Sequence, residues 1–198
     1  MGNQVEIICK NNGKTLLVDE GTALIDIYKT AGVELPYQVL CAQVNNRTRD
    51  LSYRVYQPKQ IMFSDASHIM GMRMYVRSLC FVLYKAVTEL FPGTRLRIEH
   101  SVSNGYFCCL NQREEIPHDT VELLKERMRD IIRRDLPFER IQSTAEVAAG
   151  HFREQDMCDK IDLIETLHPL YATYYKLGNL YDVYYEYLLP STGYLKVF

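Results

Sequence analysis

From its sequence, this chain is an α+β protein in two units, residues 1–66 and 67–198. Three observations predict it. Short strand-like runs and tight turns crowd the first 65 residues around one brief helical stretch. A long helical stretch from Ile69 follows, and a tyrosine-rich run with turn residues closes the chain. With 47% hydrophobic and 11% aromatic residues there is ample material for packed cores, which excludes wholesale disorder. A net charge of −2 removes any global basic field, so contact with nucleic acid would have to be local.

Val5–Cys9 and Thr15–Val18 read as strands around Asn11-Asn12-Gly13, residues that tolerate the positive φ of a hairpin turn. Thr22 is placed to cap a helix over 23–31, and Gly32 to end it. Val39–Val44, a turn at Asn45-Asn46-Arg47, Leu51–Tyr56 and Gln60–Phe63 supply further strands. Hairpin, helix and more strands is the order of a β-grasp module, one helix on a mixed sheet.

Ser67 is the expected cap of the long helix, and Pro92-Gly93 its stop. Val76, Leu79, Leu83, Ala86 and Leu90 recur at spacings of three and four and predict its inner face. Arg95–Glu99 alternates as a strand, and Ser103-Asn104-Gly105 forms a turn. A polar stretch, Asn111–Glu115, leads to a helix over 119–134 with Val121, Leu124, Met128 and Ile131 inward, stopped by Pro137. Ser143 with Glu146 predicts a capping box, and Lys160–Leu167 a further helix. The final thirty residues read as strands, and Phe198 falls inside a strand pattern, as if the protein continued.

Several signals invite chemistry and do not carry it. Gly13-Lys14-Thr15 resembles the end of a phosphate loop, but Ile8 stands where its first glycine belongs, and a strand follows instead of a helix. Six scattered cysteines without a C-x-x-C pair read as buried thiols. The five histidines are isolated, and His100, near Asn104 and Tyr106, is the best functional candidate among them. Eight tyrosines between Tyr171 and Tyr194 could stack on bases, or simply pack. The cations Lys125, Arg127, Arg129, Arg133 and Arg134 alternate with acids, which marks a solvated helix face. No apolar run reaches the roughly 20 residues of a membrane span, and the N-terminus lacks a signal-peptide layout, so the expected location is cytoplasmic.

Residues 5–65, through GTALIDIYKTAG and LCAQVNNRTRDLS, resemble the TGS domain at the N-terminus of threonyl-tRNA synthetase. Residues 67–198 resemble the second additional domain of threonyl- and alanyl-tRNA synthetases, which in the threonyl enzyme edits mischarged tRNA. The landmarks are LFPGT, SNGYF and YDVYYEYLLPSTGYLKVF. The resemblance also exposes a departure. The family's editing centre pairs H-x-x-x-H on the long helix with C-x-x-x-H near the end. Those positions here are Arg77 and Phe81, then Tyr184 and Leu188, while Asp182 is kept. Such a set cannot hold a metal or shuttle a proton near neutral pH as imidazoles and a thiol could.

The combination is similar to the N-terminal half of a bacterial uridine-kinase-like nucleoside kinase. That resemblance implies a non-catalytic recognition or regulatory module with no cofactor of its own. Its partner would be a C-terminal P-loop kinase domain using ATP and Mg beyond residue 198. A small ligand would sit in a cleft between the long helix and the tyrosine-rich sheet. Arg77 would anchor it, with His100, Asn104, Tyr106, Asp182 and Tyr184 as walls beside Phe81 and Leu188, or else Phe81, Leu188 and tyrosine rings fill the old cleft. The alternatives are a tRNA-binding module, or a residual deacylase using His100 or a cysteine.

Overall fold

The computed structural model describes residues 3–103, 105–110 and 116–198, so Asn104 and the polar stretch 111–115 lie outside the described residues. The chain is α+β. In order it forms β1 (Gln4–Cys9), β2 (Thr15–Asp19), β3 (Thr22–Ala23), α1 (Leu24–Ala31), β4 (Cys41–Val44), β5 (Arg47–Arg49), β6 (Arg54–Val55) and β7 (Lys59–Ser64). Then come α2 (Ile69–Leu90), β8 (Leu96–Val102), β9 (Gly105–Leu110), α3 (His118–Arg133) and β10 (Glu139–Thr144). The last elements are α4 (Ala145–Glu154), α5 (Cys158–Leu167), β11 (Tyr171–Leu177), β12 (Leu180–Asp182) and a 3-10 turn at Thr192–Tyr194.

The first sheet has the order β2-β1-β7-β4-β5, with β1 and β7 parallel and the other pairs antiparallel. Strict alternation along β1 buries Val5, Ile7 and Cys9. α1 lays Leu24, Ile27 and Ala31 on them, and Gly32, at φ +63°, ends the helix in the left-handed conformation that glycine adopts without strain. Thr22 does not cap this helix. Its hydroxyl donates to the Asp19 carbonyl at 2.6 Å, and backbone carbonyls take over at the helix start. Leu24 N–H donates to Tyr53 O and Ile25 N–H to Leu51 O. That duty explains why only Arg54–Val55 of the expected Leu51–Tyr56 strand is strand.

Asp65, 1% exposed, governs the entry into α2. Its carboxylate accepts from Tyr37 N–H at 2.8 Å, Ser67 N–H at 2.9 Å and the Ser67 hydroxyl at 2.5 Å. With Ser67 so engaged, the capping atom is His68 Nδ1, which accepts from Met70 N–H at 3.3 Å. Gly71 is obligatory here, since a Cβ would stand 2.0 Å from the Asp65 carbonyl oxygen.

The buried face of α2 is not the expected one. Gly71, Met74, Ser78, Phe81, Val82, Lys85, Ala86 and Val87 are buried, whereas Val76, Leu79, Leu83 and Leu90 are only partly covered. Apolar residues occupy nearly the whole circumference, so spacing alone does not choose a face. Position decides it: the second core gathers α2, α3 and the loop through Leu188, Leu189 and Leu195. On α3, Leu124, Met128 and Ile131 are buried and Val121 lies at the margin.

The expected capping box at Ser143 is absent. Thr144 precedes α4 without a side-chain cap, and the Ser143 hydroxyl, in β10, lies 3.2 Å from the Tyr174 hydroxyl. β10 pairs with β11, which pairs with β12, in a second antiparallel sheet. The closing segment STGYLKVF forms a 3-10 turn in place of a strand. Tyr75 fixes it, its hydroxyl accepting from the N–H groups of Lys196 and Val197 and donating to Val197 O.

Candidate functional site

The ground between α2 and the tyrosine-rich segment is packed solid. Phe81 projects from α2 with no exposed surface, and Leu188 is 2% exposed. The Phe81 ring lies 5.2 Å from Tyr184 and 6.0 Å from Phe138, while Tyr175 meets Tyr184 edge-on at 6.3 Å. Tyr175 hydroxyl accepts from Leu188 N–H at 3.3 Å, and Ser78 Oγ from Leu189 N–H at 2.9 Å. Rings and aliphatic groups thus occupy the volume that a ligand would need, and hydrogen bonds lock the loop over them.

Arg77 leaves this cluster sideways. Its Nη1 donates to the Tyr187 carbonyl at 3.0 Å, so the guanidinium props the 185–188 segment. Burial weakens its hold on its proton, and Glu186 opposes that. Tyr184 and Asp182 sit together deeper in. Burial, then the neighbouring Asp182 charge, lifts the Tyr184 phenol well above its ordinary range. Burial also lifts the Asp182 carboxyl, against Lys160 at 3.9 Å. Cys80 on the same helix is pushed up to about 11, chiefly by burial, so it is a thiol at neutral pH and a poor nucleophile.

His100 and Tyr106 are elsewhere. Both are exposed on the β8–β9 hairpin, where His100 stacks on Phe107 with ring centres 5.4 Å apart. Asn104 lies outside the described residues. The structure therefore brings Phe81, Tyr184 and Leu188 together with Asp182 and Arg77 at the margins, and leaves His100 and Tyr106 on a separate surface. The residues present do not suit a metal: Phe81 and Leu188 carry no donor atom, and the Tyr184 phenol resists ionisation. Among the described residues no three His, Cys, Asp or Glu side chains are placed to share an ion.

A real concavity opens on the far side of the 185–188 segment. It is half open to solvent, holds about 430 Å³, and is lined by Arg47, Thr48 and Arg49 of β5, Met70 of α2, Arg140 of β10, and Tyr185, Glu186 and Tyr187. Sequence reasoning named Tyr185 and Tyr187 among the tyrosines that could stack on bases, and missed the other lining residues. No pairwise spacing announces them, because four separate segments supply them.

No protein-family model matches this chain. It is similar to the threonine–tRNA ligase of Desulforamulus reducens, 30% identical over 177 residues, which cover 89% of this chain and 28% of that protein. It is 29% identical over 187 residues to the threonine–tRNA ligase of Rubrobacter xylanophilus, covering 94% of this chain and 29% of that one. The enzyme of the same name from Carboxydothermus hydrogenoformans is 26% identical over 180 residues, 90% of this chain and 28% of that protein. The chain thus spans less than a third of the length of these relatives.

Proposed function

We propose that this chain is a tRNA-contacting module of a threonyl-tRNA-synthetase-like protein, one that does not hydrolyse what it binds. The observation that carries the second half is the Phe81–Tyr184–Leu188 cluster, which fills the place of a reactive centre with groups that neither bind metal nor transfer protons. The relatives support the first half, since all three described above are ligases that act on tRNA. They favour tRNA over a nucleoside-kinase domain with ATP and Mg as the partner, and that kinase parent takes second place. A cytoplasmic setting follows from the same reading, and no helix among the described residues is long and apolar enough to cross a membrane.

In this proposal residues 1–66 form a TGS-like unit and 67–198 an editing-like unit whose pocket has closed. The apolar cluster around Ile7 and Ile61 is built of residues before 66 and the one around Phe81 and Ile131 mainly of residues after it, with Leu40 and Cys41 joining the two, which supports that division. The test has two arms. Filter binding of tRNA should show affinity that falls steeply as salt rises, because phosphate contacts release counterions. A panel of mischarged tRNAs, with and without added zinc, should show no deacylation above background. Loss of binding at low salt removes the tRNA reading, and turnover in either condition removes the non-hydrolytic one.

A further inference from the structure

We propose that the cleft bordered by Arg47, Arg49, Arg140, Tyr185 and Tyr187 is a nucleotide site, taking a phosphate on its guanidinium groups and a base on its exposed ring. The nucleotide comes from an RNA strand or free in solution. Only the RNA source rests on the tRNA reading above.

Charge is the first reason. Three arginines from two different strands line one concavity, and Glu186 is the single acid among its lining residues. Every ion pair formed by the described residues lies elsewhere, so none of Arg47, Arg49 and Arg140 has a carboxylate within 4.0 Å among them. Three cations against one acid leave the cleft with an excess of positive charge, which a bound phosphate would offset. Guanidinium is also the group whose planar fork matches phosphate oxygens in pairs.

Preorganisation is the second. Arg49 Nη1 donates to the Tyr187 hydroxyl at 2.8 Å, and its guanidinium lies over Tyr53 at 5.2 Å and over Tyr187 at 5.8 Å. Arg140 covers the same Tyr187 ring at 5.3 Å. One tyrosine therefore orients two cations, and Arg77 holds that tyrosine's carbonyl from behind. Ordering of this kind lowers the entropy cost of binding. The third reason is Tyr185, which is 87% exposed beside these cations and offers a free face for stacking. The volume, about 430 Å³, suits a single nucleotide.

The test uses the whole 198-residue chain and three probes. They are a fluorescein-labelled single-stranded RNA of about eight nucleotides, AMP, and tRNA. Arg47→Ala, Arg140→Ala and Tyr185→Ala all alter exposed side chains, and thermal melting checks that each variant keeps its fold. Each substitution should weaken the RNA or AMP by roughly tenfold, the loss of one directional contact. Each arginine removed should also lower the slope of log affinity against log salt by about 0.7 for RNA. Tyr185→Ala should lower affinity and leave that slope unchanged. Displacement of the RNA by millimolar AMP assigns the site to mononucleotides, and its absence assigns it to the strand. RNA and AMP held equally by wild type and by a variant combining all three substitutions, or by neither, overturn the proposal. If tRNA alone is bound, and equally by both, the cleft is wrong and the tRNA reading stands. If tRNA is not bound while RNA or AMP is lost in the variants, the cleft stands and the tRNA reading falls.

Discussion

Single side chains at two places decide the character of this molecule. Phe81 is fully buried against Tyr184 and Phe138, so Phe81→Ala should cost about 3–5 kcal/mol in urea unfolding, the range for a large cavity left unfilled. If the ring only fills space, tRNA affinity should survive the change at temperatures where the variant is folded. A parallel loss of binding would mean that the cluster also shapes the contact surface. Gly71 is the second place, because a methyl there meets the Asp65 carbonyl oxygen. Gly71→Ala should destabilise by about 1–3 kcal/mol, as overpacking does, and a neutral melting curve would show that the junction can yield. The sequence left Phe81, Tyr184 and Leu188 open between the walls of a cleft and its filling, and in the structure they pack together. Gly71 gave no signal. A glycine inside a helical pattern looks merely weak until the backbone that crosses it is known.

Elements were legible where one feature dominates and obscure where several compete. The β1–β2 hairpin has Asn-Asn-Gly at its turn and clean alternation, and it forms where expected. The ends of α2 follow from Asp65–His68 and Pro92-Gly93, yet its inward face does not, because Leu79, Leu83 and Leu90 compete with Phe81, Val82 and Val87. The buried charge on that face was also hidden. Lys85, 3% exposed, bonds Glu89 at 3.0 Å and the Asn179 side chain at 2.9 Å, and Glu89 also bonds Arg127 of α3 at 2.7 Å. These contacts tie α2, α3 and the β11–β12 turn together. Burial alone would raise the Glu89 carboxyl, but the bonds from Lys85 and Arg127 outweigh it and leave it lowered. A carboxylate lowered in the folded state adds stability above its ordinary value, 4.5, and that stability is lost as pH falls through the folded value. Glu89→Gln should therefore flatten the acid limb of a stability-against-pH curve measured by chemical denaturation. An acid limb of unchanged steepness would place the responsible carboxylates elsewhere, Asp65 first, since its hydrogen bonds also lower it despite burial.

At the scale of the whole chain, three apolar clusters form among the described residues, and the two larger ones, around Ile61 and around Phe81, meet where Leu40 and Cys41 at the start of β4 pack into the α2 core. Tyr194 touches both, Asp65 bonds Tyr37 on one side and Ser67 on the other, and Arg49 reaches across to Tyr187. The coupling between them combines the apolar packing of Leu40 and Cys41 into the α2 core with a handful of polar contacts worth about 1 kcal/mol apiece. The same junction forms the arginine-lined cleft, which is why no reading of the sequence could find it. Arg47 and Arg49 belong to one core's sheet and Arg140 and Tyr187 to the other's surroundings, and only their docking makes a concavity. Combining Arg49→Ala with Tyr187→Phe removes the cross-link while leaving both cores intact. Native-state hydrogen exchange should then show the amides of Ile7 and Ile61 opening at a different free energy from those of Val82 and Ile131, whereas in the parent chain both sets should open together. A double-mutant cycle on the same pair should give a coupling of about 0.5–1.5 kcal/mol. Coupling near zero, with both sets of amides still opening as one, would show that Leu40, Cys41, Tyr194 and Asp65 suffice to bind the two cores. The cleft would then keep its shape without the Arg49–Tyr187 bond.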